Sequence, residues 1–210
     1  THRRSSAASD VYKRQIDLLP SEDIVYFGDT SRYPYGPQPL EEVKSYSQQI
    51  SDYLIAEHDV KMIVIACNTA SAAAEDDLRN STEIPIVGVI TPGAQAVAEV
   101  SSTKKIGVIG TVGTINSQAY DNAIKGISPE NIELVSVACP GFVEFVERGE
   151  FEGEQVRILA DRLLAPVIQA DVDALLLGCT HYPYLARAIG ESVGEGCLLY
   201  TSPSPRDNTT

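Results

Sequence analysis

Short apolar runs rich in β-branched residues alternate with longer amphipathic segments along most of this sequence, and this alternation limits the fold more than any other feature. The pattern predicts strands at 24–27, 62–66, 86–89, 105–109, 132–137 and 174–177. It predicts a first helix of about 18 residues that includes 40–54. Further helices are predicted at 70–79, from Thr91 onward, from the turn 110–114 to about 125, after Cys139, at 153–169 and at 184–193. Strands separated by helices of about 10 to 18 residues indicate parallel sheets with helices on both faces. The predicted class is α/β.

Two of the predicted strands end in a cysteine, Cys67 and Cys179, and each has its own neighbouring strands and helices. We therefore expect two similar α/β sandwich domains, residues 16–92 and 93–196, with a cleft between them. Both chain ends differ in composition from the rest: residues 1–15 are basic in an acidic chain, and residues 197–210 are rich in proline and serine. We expect both ends to be non-native or disordered junction sequence.

The formal net charge of −13 argues against nucleic acid or an anionic membrane as a partner, because phosphate binding needs a basic surface. No apolar run reaches the roughly 18 residues of a membrane-spanning helix. Residues 1–15 contain no apolar stretch of the kind that marks a secretory signal. We expect a cytoplasmic protein.

The sequence favours a reaction without metal or cofactor. The four cysteines lack CxxC spacing and only three histidines are present, so a zinc site is poorly supplied. The repeat Gly107-x-x-Gly110-x-x-Gly113 lacks the GxG pair of a dinucleotide loop. The lysines lie before predicted strands, in helices or in the basic leader, which does not suit a pyridoxal phosphate site at the carboxyl ends of strands.

The two cysteines at strand ends are the strongest functional signal. Ligands of open α/β sheets bind at the carboxyl ends of strands, where Cys67 and Cys179 are predicted to lie. Two thiols on opposite sides of a cleft could remove a proton from one face of a carbon and return one to the other face, which is what racemisation requires. The alternative is that one or both are buried structural thiols, as single cysteines commonly are.

A basic thiol must be ionised, and free cysteine with a pKa of about 8.5 is only a few per cent thiolate near neutrality. Lowering the pKa by about 1.5 units takes roughly 2 kcal/mol, which a helix N-terminus could nearly supply. His181 could carry protons for Cys179. Its alternative role is to cap a helix through its imidazole.

Other polar residues follow the same strands. Asn68, Thr69, Thr180 and His181 place amide, hydroxyl and backbone N–H donors at two predicted helix starts, where a carboxylate fits. Ordinary N-capping is the alternative there and the favoured role for Thr111 and Thr114. Glu144 and Glu147 lie near another helix start, where a carboxylate could orient a ligand ammonium or pair with an acid/base group; for Glu144 a solvated helix face is favoured.

Four ordered motifs, 26–36 (YFGDTSRYPYG), 66–72 (ACNTASA), 110–114 (GTVGT) and 177–183 (LGCTHYP), resemble those of the glutamate racemases. These belong to the cofactor-independent aspartate/glutamate racemase superfamily, and the resemblance covers about residues 16–196. It implies an isomerase that interconverts L- and D-glutamate without a cofactor and supplies D-glutamate for peptidoglycan and hence for cell-wall biogenesis and cell shape.

By the resemblance, Cys67 and Cys179 are the two acid/base thiols, assisted by His181 and Glu147. The substrate-binding residues that it implies are Tyr35, Gly36, Asn68, Thr69, Thr180 and His181, with Thr111 and Thr114 as further candidates. A possible homodimer belongs to the same expectation.

The family's first strand, with its Asp-Ser-Gly motif, is absent here, and the family continues beyond position 196. We therefore expect a chain truncated at both ends, with weak or no activity. Two alternatives stay open. One is a racemase of a related acidic amino acid such as aspartate; the other is a non-catalytic acidic-ligand binder or regulatory protein of the same fold.

Overall fold

The computed structural model describes residues 15–127 and 132–201. From residue 40 onward its elements are α1 (Leu40–His58), β1 (Ile63–Ile65), α2 (Asn68–Ser81), β2 (Ile86–Gly88), α3 (Ile90–Val100), β3 (Lys105–Gly110), α4 (Val112–Asn116), α5 (Ala119–Ile127), β4 (Glu133–Ala138), α6 (Phe142–Glu147), α7 (Glu154–Gln169), β5 (Ala174–Gly178), a 3₁₀ helix (Tyr182–Leu185), α8 (Ala186–Val193) and β6 (Leu198–Thr201). This order confirms the predicted alternation of strands and helices.

The described strands form two parallel sheets. β1 and β2 pair in one sheet, and the other has the order β4-β3-β5-β6. Helices pack against both sheets, so the predicted α/β class with parallel sheets is confirmed. In the larger sheet, Gly110 at the end of β3 pairs with Gly178 at the end of β5. The residues that follow these two strands therefore emerge side by side at the same sheet edge.

The larger sheet is buried on both faces, which explains its continuous apolar runs. Side chains alternate along a strand, so Leu175 and Leu177 of β5 join one core cluster, which includes residues of α7 and α8, while Leu176 joins the other, with residues of α3 and α5. All three leucines are almost fully buried. Burying a leucine side chain contributes about 1.5–3 kcal/mol, so this strand is held firmly in place.

The smaller sheet is covered on one face. Ile63 and Ile65 of β1 pack against α1 and α2, whereas Val64 between them is partly exposed. Helix α2 is also tied to the sheet by polar groups: the Ser71 hydroxyl donates to the Ile65 carbonyl at 2.9 Å, and a carboxylate oxygen of Glu75 accepts the Gly88 N–H at 3.0 Å. These bonds fix the start of α2, which carries the first cysteine.

Two predictions about chain ends and edges are wrong. Residues 24–27 do not form a strand: Val25, Tyr26 and Phe27 are exposed, and no strand of the described chain pairs with them, so their β-branched and aromatic composition is not enough. In the tail expected to be non-native or disordered from residue 197, Leu198–Thr201 are ordered as β6, because they pair with β5; that the tail is non-native stays a prediction. The remaining parts of the predicted leader and tail, residues 1–14 and 202–210, lie outside the described residues.

Helix boundaries also differ from the prediction at two places. Helix α3 begins at Ile90, one residue before the predicted start at Thr91, and continues through the predicted domain boundary at 92/93. The helix predicted from the turn 110–114 to about residue 125 is divided into α4 and α5, because Gln118 adopts a left-handed backbone conformation with φ of 57°. The division of the chain into residues 16–92 and 93–196 stays a prediction. Within the described parts of the chain, no helix combines the length and apolar character needed to cross a membrane.

Candidate functional site

The site is built where the two sheets approach each other, from residues that follow β1 and β5. Cys67 occupies the N-cap position of α2, with extended backbone angles (φ −111°, ψ 127°) that end the strand and begin the helix. Cys179 follows Gly178 at the end of β5 and is 6% exposed, while Cys67 is half-buried. Both predicted cysteines are thus at the carboxyl ends of strands, one from each sheet.

Both thiols are held mainly in the neutral form. Burial raises the pKa of the Cys67 thiol, and hydrogen bonds from the N–H groups of Ala70 and Thr69 offset this only in part. Burial raises the pKa of Cys179 to about 12; the His181 N–H lowers it, and the charge of a Cys67 thiolate raises it further. The backbone donors at the two helix starts lower the thiol pKa in the expected direction, but they do not supply enough, because removal from water outweighs them and the net pKa of each thiol is raised.

The effect of a Cys67 thiolate on the pKa of Cys179 means that ionisation of one thiol disfavours ionisation of the other. A pair coupled in this way favours one thiolate and one thiol over two thiolates. That is the ionisation state in which one sulfur can accept a proton while the other donates one.

His181 connects Cys179 with an acid. Its Nδ1 lies 3.8 Å from the Cys179 sulfur, and its Nε2 lies 2.8 Å from Oε1 of Glu147 at the end of α6. The Tyr33 hydroxyl is also 2.8 Å from Nε2, and its ring stacks on the imidazole. Burial, followed by a hydrogen bond to Glu147, raises the pKa of Tyr33, so this hydroxyl keeps its proton. The imidazole is held between a thiol and a carboxylate.

The site has two halves, one formed by residues next to the smaller sheet and one by residues that follow strands of the larger sheet. Three threonine hydroxyls join these two halves. Thr69 Oγ1 lies 2.9 Å from Oγ1 of Thr111 and 3.2 Å from that of Thr114, and the last two are 3.0 Å apart. All three residues are buried. Thr111 also caps α4, since its side chain accepts the Thr114 N–H at 3.2 Å. The capping role favoured for Thr111 is present, and the same hydroxyl lies in the contact between the halves.

The loop after residue 27 closes one side of the site. The Gly113 N–H donates to the Gly36 carbonyl at 2.9 Å across the two halves. The Tyr35 hydroxyl donates to Asp29 at 2.5 Å, and Arg32 lies 2.6 Å from the same carboxylate. The predicted substrate residues Tyr35 and Gly36 are therefore fixed in place by partners within and across the loop.

Asn68 is 2% exposed, and its side chain has one partner in the described structure. The Tyr120 hydroxyl donates to its Oδ1 at 2.6 Å. Its amide nitrogen Nδ2 has no hydrogen-bond partner among the described residues. A buried amide N–H without a partner is costly, so this atom is suited to bind an oxygen of a ligand.

Most of the predicted site residues come together; the exceptions are minor. Thr180 lies half-buried in the turn between Cys179 and His181. Glu144 is exposed, in agreement with a solvated helix face. The sequence did not identify three residues that hold the site: Asp29, Tyr33 and Tyr120. Asp29 and Tyr33 lie in the recognised loop motif, but their partners could not be read from it, and Tyr120 looks like any other core residue of a helix.

No cluster of three or more histidine, cysteine, aspartate or glutamate side chains that could hold a metal ion is present in residues 15–127 and 132–201. All four cysteines are free. Cys139 and Cys197 take no part in the arrangement around His181, and burial raises the pKa of Cys139 to about 12 and that of Cys197 to about 11.

The chain is similar to glutamate racemases in both sequence and structure. The sequence is 49% identical over 192 residues to a glutamate racemase of Geobacter metallireducens, which covers 91% of this chain and 70% of that protein. The fold matches the crystal structure of a glutamate racemase from Bacillus anthracis with a TM-score of 0.88 at 39% identity, covering 93% of this chain and 73% of the other.

A second solved structure, glutamate racemase from Francisella tularensis in complex with D-glutamate, matches with a TM-score of 0.86 at 36% identity and covers 93% of this chain and 72% of its own. The family model described as Asp/Glu/Hydantoin racemase matches residues 6–199. The chain belongs to the Asp/Glu/hydantoin racemase family, because the family model matches most of this chain and the Geobacter relative is 49% identical to it.

Proposed function

We propose that this chain interconverts L- and D-glutamate without a cofactor, with Cys67 and Cys179 as the two acid/base groups. The observation that carries the proposal is the position of Cys67 and Cys179 at the carboxyl ends of β1 and β5, with the His181 imidazole 3.8 Å from the Cys179 sulfur and hydrogen-bonded to Glu147. The glutamate racemases of Geobacter metallireducens and Bacillus anthracis support glutamate as the substrate, as does the Francisella tularensis structure with D-glutamate. The product D-glutamate supplies peptidoglycan synthesis.

The donors at the start of α2 suit the carboxylates of glutamate. Asn68 Nδ2 is a buried donor that lacks a partner in the described structure, and the first turn of α2 adds the partial positive charge of a helix N-terminus. These local donors offset the negative charge of the chain as a whole. The ammonium group of bound glutamate would favour the thiolate form of the nearby cysteines, because a close opposite charge stabilises the charged state.

The proton transfers balance over one turnover. For L-glutamate, the Cys179 thiolate takes the α-proton, the C–H bond breaks, and its electron pair passes into the adjacent carboxylate. The Cys67 thiol then donates its proton to the opposite face of the α-carbon, which yields D-glutamate and a Cys67 thiolate. In the reverse direction the two roles exchange. The family resemblance assigns Cys179 to L-glutamate and Cys67 to D-glutamate.

His181 and Glu147 serve the Cys179 side. The imidazole Nδ1 lies 3.8 Å from the Cys179 sulfur, where the ring can exchange a proton with that thiol, and the Glu147 carboxylate 2.8 Å from Nε2 holds the ring in this orientation. The predicted homodimer and cytoplasmic location stay predictions.

Deuterium wash-in from heavy water tests the two-thiol mechanism. Each cysteine can exchange only the proton on its own face, and serine offers almost no anionic base near neutrality. Cys179→Ser should therefore abolish exchange into L-glutamate, while some exchange into D-glutamate continues through Cys67. Cys67→Ser should give the opposite result. The double mutant is the control and should show no exchange.

Equal loss of exchange for both enantiomers in either single mutant would rule out the two-face mechanism. Exchange that persists in the double mutant would do the same. Calorimetry with glutamate, run beside the racemisation assay, separates the enzyme from the non-catalytic binder. Binding without any racemisation would mean that this chain keeps the fold and the site but not the activity.

A further inference from the structure

Tyr120 of α5 reaches both halves of the site although it is not next to either cysteine in sequence. Its hydroxyl bonds to Asn68, the residue after Cys67, and its ring packs against Gly178, the residue before Cys179. A Cβ placed on Gly178 would lie 2.9 Å from the ring. Tyr120 is 1% exposed, so it is a fixed element between the two strand ends.

We infer that Tyr120 is a positioning residue that holds the Asn68 amide in one orientation, with Nδ2 free to donate to an oxygen of the substrate. This inference rests on the proposed function, because it takes an acidic amino acid as the ligand. It assigns a role in substrate binding to a residue that does not itself need to touch the substrate.

The direction of the hydrogen bond fixes the orientation of the amide. Burial, and then the charge of a Cys179 thiolate, raises the pKa of Tyr120, so the phenol keeps its proton. In the part of the chain that the structure describes, Asn68 Oδ1 is the acceptor for this proton, at 2.6 Å. If the amide turned over, Nδ2 could donate to the phenol oxygen, but the phenol proton and Oδ1 would lose the bond that they share now, which leaves a buried polar group unsatisfied.

Close packing holds the Tyr120 side chain in place, so its hydroxyl could not move with the Asn68 amide if that amide shifted. A Cβ placed on Gly93 would lie 3.2 Å from the Tyr120 hydroxyl oxygen, which shows how closely α3 packs against it. The ring edge meets Gly178 on the other side. Glycine at these two positions leaves room for the ring in this place, and the ring then determines where the hydroxyl lies.

The expected size of the effect follows from the states that become available to Asn68. Without the phenol, at most about three χ1 rotamers and two amide orientations are available to this buried side chain, so the binding-competent fraction falls to between about one half and one sixth. Tyr120→Phe should then raise the Kd for glutamate about two- to sixfold. Asn68→Ala removes the donor itself and should raise it by about 10- to 100-fold, as expected for a hydrogen bond to a charged group.

The test is a double-mutant cycle on the Kd for glutamate, read by NMR titration because millimolar values are expected for the weaker variants. Tyr120→Phe is made in the parent chain and in Asn68→Ala. If Tyr120 acts through Asn68, the effect of Tyr120→Phe on Kd disappears in the Asn68→Ala background. Thermal unfolding of each variant confirms that it is folded.

Tyr182→Phe is the matched control. Tyr182 is also fully buried, but its hydroxyl donates to the Cys139 carbonyl at 3.1 Å and not to Asn68. Tyr182→Phe should therefore change the Kd for glutamate by the same factor in the parent chain and in the Asn68→Ala background.

An equal effect of Tyr120→Phe in both backgrounds, or an unchanged Kd in the parent, would overturn the inference. Binding of glutamate without racemisation would refute the proposed activity while the cycle still decides the role of Tyr120. A parent chain that does not bind glutamate would overturn both.

Discussion

Gly36 lies where the loop of residues 28–37 meets the other half of the site, and adding one methyl group there should separate them. A Cβ at this position would lie 2.8 Å from two carbons of Thr111, whereas ordinary contact begins at 3.4 Å. The loop must therefore move by about 0.6 Å. Gly36→Ala should cost about 1–3 kcal/mol for the overpacking. Strain of the Gly113 N–H to Gly36 carbonyl bond, 2.9 Å long, adds about 0.5–1.5 kcal/mol.

The displaced loop carries Tyr35 and Gly36, which are predicted to bind substrate, so the change should weaken substrate binding. Since 1.4 kcal/mol corresponds to a factor of ten, the KM for glutamate should rise about tenfold or more. Gly126→Ala in α5 is the matched control, because a Cβ there meets no atom within 4 Å. It should leave KM unchanged and add about 0.5–1 kcal/mol of stability. A Gly36→Ala protein with the parent KM would refute the packing argument.

Two further predictions concern charged groups. Glu147→Gln keeps the shape of the contact with His181 but removes the negative charge, so kcat/KM should fall about 5- to 30-fold. Glu144 is exposed, and the control Glu144→Gln should leave kcat/KM unchanged. Equal losses in the two variants would contradict the role assigned to Glu147. Burial raises the pKa of Asp173, but hydrogen bonds from residues 101–103 hold it below its ordinary value. Its stabilising effect is therefore present above about pH 4 and lost as the pH falls further. Asp173→Asn should lower the free energy of unfolding at pH 7 by about 1–2 kcal/mol, as lost capping bonds do, and this difference should shrink in denaturation experiments near pH 3.

The predicted fold agrees with the structure where the local pattern is strong. The continuous run Leu175–Leu177 predicts a strand buried on both faces, and the register of β5 with β3 confirms it. The prediction fails where pairing decides the outcome. Residues 24–27 have the composition of a strand but do not form one, whereas Leu198–Thr201 become a strand because they pair with β5.

The sequence by itself determined the α/β class and the position of Cys67, Asn68, Cys179 and His181 at strand ends, because each depends on a few adjacent residues. Only the tertiary structure decided which distant groups meet them. Tyr33 reaches His181 across 148 positions and Tyr120 reaches Asn68 across 52. The environment that raises the pKa of both thiols is likewise a result of packing, since burial depends on every element around the site and not on the residues beside each cysteine.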